Sequence, residues 1–129
     1  MPGNGPSPIR VLYVEDDKSL RLTISQMLKI LGYAVMCADN GKAGIEKATS
    51  WQPDIILMDI RMPLMNGDEA VRILRKTPGT ERIPIFVISA YSDAKTRDLC
   101  KEVGATRFFT KPIDVRKIDV AIRETVKSG

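Results

Sequence analysis

The sequence contains no histidine, and this absence removes several kinds of chemistry at once. Catalytic triads with an imidazole base, haem ligation by histidine and most catalytic zinc sites all require that side chain. Any chemistry in this chain must therefore depend on carboxylates, hydroxyls and lysine.

Cysteine is scarce, with Cys37 and Cys100 as the two examples. They fall in different predicted elements and form no Cys-x-x-Cys or Cys/His pattern that would indicate zinc. A reducing compartment is the simpler interpretation.

Long apolar runs and dense blocks of charge are also missing. No run approaches the roughly 18 residues needed to cross a membrane, and the opening MPGNGPSP lacks the basic start and apolar stretch of a secretory signal. The net charge of +4 is mild and the basic residues are spread along the chain, so nucleic-acid binding gains only weak support. We therefore expect a cytoplasmic protein with no direct contact to nucleic acid or membrane.

The length of 129 residues fits one domain, and 43% hydrophobic with 28% charged residues is typical of a soluble globular protein. Residues 1–8 include two glycines and three prolines. We interpret them as a flexible N-terminal lead-in and residues 9–127 as the folded domain.

Strand-like apolar runs alternate with helical spacing five times along the chain. Predicted strands are Ile9–Val14, Tyr33–Ala38, Asp54–Met58, Ile83–Ile88 and a short segment around Arg107–Thr110. Asn40 and Asp114 are predicted helix N-caps, Asp17 and Asp93 are predicted turn or cap residues, and Gly32 is predicted to end the first helix. Alternation with short connections predicts an α/β fold, a parallel five-stranded sheet with helices on both sides.

Polar side chains stand where the predicted strands end. Glu15 and Asp16 follow the first strand, Asp59 the third, Ser89 the fourth and Lys111 the fifth. Because ligands bind at the carboxyl ends of parallel strands, we expect these groups to share one site.

Three acids at one edge favour a divalent cation, because carboxylates brought together repel one another. Mg²⁺ prefers oxygen ligands, and Asp16 and Asp59 would supply them. A carboxylate there can attack a phosphorus atom whose oxygens are neutralised by metal, lysine and a hydroxyl. The expected product is an aspartyl phosphate.

The segments VLYVEDD, PDIILMDIRMPLMNG, VISA and GATRFFTKP resemble the signature segments of two-component response-regulator receiver domains. The resemblance extends from Ile9 to about Lys127. It implies a CheY-like, doubly wound (βα)5 fold of the flavodoxin type, with strand order 2-1-3-4-5.

The resemblance also implies roles for the acids. Asp59 matches the phosphorylated aspartate. Asp16 and Asp59 would bind Mg²⁺ directly, Arg61 would offer its backbone carbonyl, and Glu15 would act through a metal-bound water.

Further roles follow from the same resemblance. Ser89 and Lys111 match the residues that contact the phosphoryl group, and the Lys111–Pro112 bond is expected to be cis. Phe108 occupies the position of the switch aromatic, which together with Ser89 responds to phosphorylation.

Arg61 and Tyr91 match positions that modulate the lifetime of the phosphoryl group. We hypothesise that their side chains slow autodephosphorylation by shielding the site.

The implied function is a phosphoacceptor signalling domain, not an enzyme acting on external substrates. The donor would be a histidine kinase or a histidine phosphotransfer protein. The output would be a changed surface on the fourth helix, fifth strand and fifth helix, read by a downstream protein or a fused output domain, in a monomer or a phosphorylation-dependent dimer.

Three alternatives remain. A pseudo-receiver would bind partners without phosphorylation, although none of its acids or the lysine is missing here. A phosphatase of the haloacid dehalogenase class would need a second acid where Arg61 stands. A DNA-binding regulator would need a helix-turn-helix, for which about ten residues outside the domain are too few.

Overall fold

The computed structural model describes residues 7–61 and 66–128, apart from the side chains of residues 127 and 128. Most of the predicted lead-in lies outside these residues. The elements are β1 Arg10–Val14, α1 Lys18–Ile30, β2 Ala34–Ala38, α2 Gly41–Trp51, β3 Ile55–Asp59, α3 Gly67–Lys76, β4 Ile85–Ser89, α4 Ala94–Val103, β5 Arg107–Thr110 and α5 Val115–Ser128.

All neighbouring strands are parallel, and the order across the sheet is β2-β1-β3-β4-β5. The predicted fold class and strand order are therefore confirmed. From β1 the chain adds β2 on one side and then β3, β4 and β5 on the other, so the direction in which strands are added changes between β1 and β3. In sheets of this kind, ligands bind next to such a point.

Four of the five described helices begin at residues whose side chains accept hydrogen bonds from the first turn, whereas Asn66 before α3 makes no such bond. Asp17 accepts from the amide of Leu20, Asn40 from that of Ala43, and Asp93 from that of Thr96. Asp114 accepts from the amides of Arg116 and Lys117. Gly32, at φ +102°, follows α1 as predicted, in the left-handed region that favours glycine.

Side chains alternate between two apolar cores, one on each face of the sheet. Leu12, Ile56 and Val87 face α2, α3 and α4. Val11, Leu57 and Phe86 face α1 and α5. Every residue of β3 and β4 is buried, so the two strands that end in Asp59 and Ser89 form a rigid centre.

Strand ends differ from the prediction by one or two residues. Tyr33 lies outside β2, because its amide donates to Leu28 O at the end of α1. Ile83 lies outside β4, and its carbonyl accepts instead from Arg75 Nη1 at 2.6 Å. Asp59 belongs to β3, where it pairs with Ile88 of β4.

Arg75, which the sequence analysis did not single out, joins several elements from α3. Its guanidinium also donates to Gly104 O at 2.9 Å and Glu81 O at 3.2 Å. Three carbonyls in the loops and turns around α3 and α4 are thereby satisfied by one side chain.

The apolar spacing of α1 includes residues that are not buried. Met27 and Leu31 are exposed, whereas Ile24 and Leu28 enter the core. Of the helices that the structure describes, none combines the length and apolar character required to cross a membrane.

Candidate functional site

Four of the five strands bring a polar side chain to the same edge of the sheet. Glu15 directly follows β1, Asp59 ends β3, Ser89 ends β4 and Lys111 directly follows β5. Glu15, Asp59 and Ser89 are buried, and Asp16 beside them is exposed. The site therefore has a buried floor and one acid open to solvent.

The carboxylates form a cluster of oxygen donors. Glu15, Asp16 and Asp59 each place an oxygen within 4.8 Å of the others. Oxygens at this separation match the needs of a small divalent cation such as Mg²⁺. The residues present thus fit the group that the sequence led us to expect.

Lys111 supplies a positive charge between two of these acids. Its Nζ lies 3.2 Å from Glu15 Oε1 and 3.3 Å from Asp59 Oδ2. Burial works to lower the pKa of Lys111, but the charges of Asp59 and Glu15 outweigh this and raise it. The ammonium is therefore held in its charged form beside Asp59. The Lys111–Pro112 bond that follows is cis.

Asp59 is the acid most altered by its surroundings. Burial, and then the neighbouring Glu15, raises the pKa of Asp59 to about 7, with Lys111 opposing the shift. In the absence of a divalent cation, this carboxyl holds its proton more tightly than an ordinary aspartate.

Glu15 is held in place by donors on both of its oxygens. The Tyr13 hydroxyl lies 3.3 Å from Oε1, and the amide of Asp17 donates to Oε2 at 3.2 Å. Burial, and then Glu15, raises the pKa of Tyr13 well above its usual range. Sequence reasoning missed Tyr13. The available signal was its position two residues before Glu15, on the same side of the extended chain.

Ser89 and Phe108, the two predicted switch residues, lie on the neighbouring strands β4 and β5. Ser89 Oγ accepts a hydrogen bond from the amide of Tyr91 at 3.0 Å. Phe108 is half-buried against the α2–α3–α4 core, and the Arg97 guanidinium lies 5.0 Å from its ring centroid. Phe108 is therefore neither fully buried nor fully exposed.

Arg61 and Tyr91 contact each other near Asp59. The Arg61 guanidinium lies 4.4 Å from the centre of the Tyr91 ring, a cation–π contact. The amide of Arg61 donates to Asp59 Oδ1 at 3.4 Å. Both side chains are exposed and line a cavity of about 250 Å³ together with Ile60, Asn66 and Asp68.

Gly67, at the start of α3, passes unusually close to the backbone of Asp59. Its amide donates to Ile60 O at 2.7 Å. A Cβ atom at Gly67 would lie 2.2 Å from Asp59 O, which is far inside van der Waals contact. A glycine at this position therefore allows α3 to begin against the strand end that carries Asp59.

The model of one protein family, described as the response regulator receiver domain, matches residues 11–123. Protein PilH of Pseudomonas aeruginosa is 35% identical over 105 residues, which is 81% of this chain and 87% of PilH. The regulatory protein AtoC of Escherichia coli is 29% identical over 92% of this chain, but the chain spans only 25% of AtoC.

Among solved structures, the chain is similar to the receiver domain of the sensor histidine kinase PA1611 from P. aeruginosa. The TM-score is 0.87 at 28% identity, covering 93% of this chain and 98% of that one. That crystal structure has a magnesium ion coordinated in its active-site cleft.

Proposed function

Because the chain belongs to the response regulator receiver domain family, we propose that it accepts a phosphoryl group on Asp59 and thereby changes the partner that it binds. The observation that carries the proposal is the placement of Lys111 Nζ between Asp59 and Glu15, within a cluster of three carboxylates. A strand-end acid alone would not distinguish a phosphoacceptor from a helix cap.

The reacting atom is a carboxylate oxygen of Asp59. It forms a bond to phosphorus while the bond between phosphorus and the donor nitrogen or oxygen breaks, and the donor keeps that electron pair. Lys111 neutralises charge on the phosphoryl oxygens, and Ser89 exchanges its contact with Tyr91 for one of those oxygens. A transfer of this kind depends mainly on positioning and charge, which a rigid β3 end provides.

Asp16 and Asp59 would hold Mg²⁺ directly, with the Arg61 carbonyl as a further ligand and Glu15 acting through a water. The ion supplies positive charge that lowers the repulsion between the attacking carboxylate and the phosphoryl oxygens. The three clustered oxygens support this assignment, and so does the chemistry of an all-oxygen donor set.

The proposed switch connects the site to β5. A phosphoryl group adds roughly two negative charges and draws Ser89 and Lys111 toward it. Phe108, half-buried three residues before Lys111, changes its packing in response and alters the surface of α4, β5 and α5.

The proposed donor is a histidine kinase or a histidine phosphotransfer protein in the cytoplasm. The proposed reader is a downstream protein or a fused output domain. Residues 9–127 form the unit that carries the switch, as a monomer or as a dimer that depends on phosphorylation.

Arg61 and Tyr91 are proposed to prolong the phosphorylated state. Their side chains stack on each other, and the backbone amide of Arg61 donates to Asp59. In the proposal, this pair reduces the access of water to the phosphoryl group.

The proposal is tested by intact mass after incubation with acetyl phosphate and Mg²⁺. The wild type should gain one phosphoryl group and Asp59→Asn should gain none. A chain that stays unmodified while folded would instead be a pseudo-receiver.

A further inference from the structure

A cavity of about 200 Å³ lies at the end of β2, the edge strand on the opposite side of the sheet from β5. Arg21 of α1, Lys47 of α2 and residues 37–39 at the end of β2 line it. The cavity is thus at the carboxyl edge of the sheet, as the carboxylate cluster is, but none of the three clustered acids lines it. We call this cavity the β2 pocket.

Backbone carbonyls hold both cations of the β2 pocket in position. Arg21 Nη1 donates to Glu15 O at 2.7 Å and to Asp16 O at 3.4 Å. Lys47 Nζ donates to Cys37 O at 2.6 Å. Both side chains are half-buried. Cations that are already ordered lose little conformational freedom when they bind a ligand, so the pocket is organised in advance.

The two cations have no carboxylate counterion. In the part of the chain that the structure describes, neither Arg21 nor Lys47 forms an ion pair. Asp39 also lines the pocket, but it is exposed and its Oδ1 accepts a hydrogen bond from Asn40 Nδ2 at 2.7 Å. Two cations therefore face one acid, and the pocket favours an anion.

We propose that the β2 pocket binds a small phosphate anion, either inorganic phosphate or the phosphate group of a small phosphomonoester, between Arg21 and Lys47. A dianion matches two cations that reach it from different helices. Its several oxygens can accept hydrogen bonds from a guanidinium and an ammonium at once. The volume lies below the roughly 300–1,000 Å³ of pockets for drug-sized molecules, which favours a small ion.

Other anions fit this pair of cations less well. A single carboxylate carries one charge and would leave the second cation unpaired. Chloride also carries one charge and cannot accept the two parallel hydrogen bonds that a guanidinium donates to an oxyanion. Phosphate satisfies both the charge and the directions of the donors.

Arg21 connects the β2 pocket to the carboxylate cluster. The guanidinium that faces the pocket also bonds to the carbonyls of Glu15 and Asp16, two of the clustered acids. Neutralising those acids with Mg²⁺ removes negative charge near the pocket and should strengthen phosphate binding. By linkage, phosphate then strengthens Mg²⁺ binding by the same factor. This coupling rests on the proposed function, whereas the binding of phosphate does not.

The test is an NMR titration of the complete 129-residue chain with inorganic phosphate, in EDTA and at an ionic strength held constant with chloride. Saturable changes should appear at the amides of residues 37–39, Arg21 and Lys47. Arg21→Gln and Lys47→Gln should each weaken binding by about tenfold, because a hydrogen bond between charged groups is lost.

Two further variants make the titration specific to the pocket. Lys42→Gln removes an exposed cation from the same helix as Lys47 but outside the pocket, and it should leave the affinity unchanged. Asp39→Asn removes the acid that repels the anion and should tighten binding several-fold. This gain in affinity tests the inference even where Arg21→Gln fails to fold.

Titration with glycerol phosphate distinguishes the two sources of the ligand. Saturable binding of both compounds supports a site for phosphate groups, and binding of inorganic phosphate alone supports a site for the free ion. Changes that do not saturate, or that chloride reproduces, would overturn the inference. So would tighter binding of acetate than of phosphate, or an equal loss of affinity in Lys42→Gln and Lys47→Gln.

The same titration separates this inference from the proposed function. Phosphate that binds the β2 pocket of a chain unable to take a phosphoryl group on Asp59 would support the pocket and contradict the proposed function. A chain that is phosphorylated on Asp59 but binds no phosphate at residues 37–39 would do the reverse. An affinity for phosphate that Mg²⁺ leaves unchanged would contradict the coupling through Arg21.

Discussion

Asp59 combines burial with a neighbouring acid, so its ionisation opposes folding in the absence of a metal ion. Its pKa is raised to about 7 in the folded chain, against about 4 in an unfolded one. The folded state therefore binds a proton that the unfolded state releases between these two pH values, and stability falls as pH rises through that window.

Asp59→Asn removes this effect, because the amide does not ionise. With divalent ions removed by EDTA, we expect the variant to gain stability relative to wild type, more at pH 8 than at pH 5. Urea unfolding at both pH values measures the difference. An equal difference at pH 5 and pH 8 would show that the Asp59 carboxyl does not titrate abnormally.

The contact between Arg61 and Tyr91 yields a prediction about the lifetime of the phosphoryl group. Replacing both residues by alanine removes the stacked pair of side chains, and loss of the phosphoryl group should become several-fold faster. The rate is followed by intact mass after removal of acetyl phosphate. Arg72→Ala, an exposed arginine on α3, is the control and should not alter the rate. An unchanged lifetime in the double variant would refute the shielding hypothesis.

Among the elements, α3 has the tightest relation to the site, because Gly67 begins it against the backbone of Asp59. Gly67→Ala should destabilise the chain by about 1–3 kcal/mol through overpacking, although alanine is favoured over glycine within a helix by about 1 kcal/mol. It should also slow phosphoryl uptake, because the end of β3 must shift. Chemical denaturation and intact mass measure the two effects.

Gly32→Ala is the matched control for Gly67→Ala. Gly32 has φ +102°, and a Cβ atom added there would meet nothing within 4 Å, so alanine should cost about 1–2 kcal/mol by backbone strain alone. It should leave phosphoryl uptake unchanged. Equal losses of uptake in both variants would mean that the Gly67 effect is only loss of stability.

The elements also show how far the sequence alone could lead. Apolar runs and helical spacing located the five strands and five helices, and Asp17, Asn40, Asp93 and Asp114 cap helices where predicted. The observed strand ends differ from the predicted ones because they depend on hydrogen bonds to distant parts of the chain. The bond from Arg75 to the carbonyl of Ile83 is one example.

The candidate site likewise has features that the sequence predicted and features that it did not. The sequence placed Glu15, Asp16, Asp59 and Lys111 at one edge, because strand ends in a parallel sheet converge. The bond from Tyr13 to Glu15 and the stacking of Arg61 on Tyr91 were not predicted, since rotamers decide them. The close approach of Gly67 to Asp59 depends on the path of a loop.

For the whole molecule, binding of Mg²⁺ should appear as added stability, because the cluster of three carboxylates is assembled only in the folded chain. At a concentration of 100 times Kd the gain is about 2.7 kcal/mol. Thermal unfolding with and without Mg²⁺ measures it, and Asp16→Asn should lose most of the increase in Tm.

Asp17→Asn is the control for Asp16→Asn. Asp17 is the next acid along the chain but caps α1, a role that asparagine also fills. Its variant should keep the response to Mg²⁺. An equal loss in both variants would indicate a diffuse effect of charge instead of a site at Glu15, Asp16 and Asp59.

The central claim is that Asp59 carries the phosphoryl group, and chemical location of that group tests it most directly. After incubation with acetyl phosphate and Mg²⁺, borohydride reduces an aspartyl phosphate to homoserine, which peptide mass spectrometry assigns to a position. We predict homoserine at position 59 alone, and its absence when EDTA replaces Mg²⁺. Homoserine at position 16 or at any other acid, or none in a folded chain with Mg²⁺ present, would contradict the account.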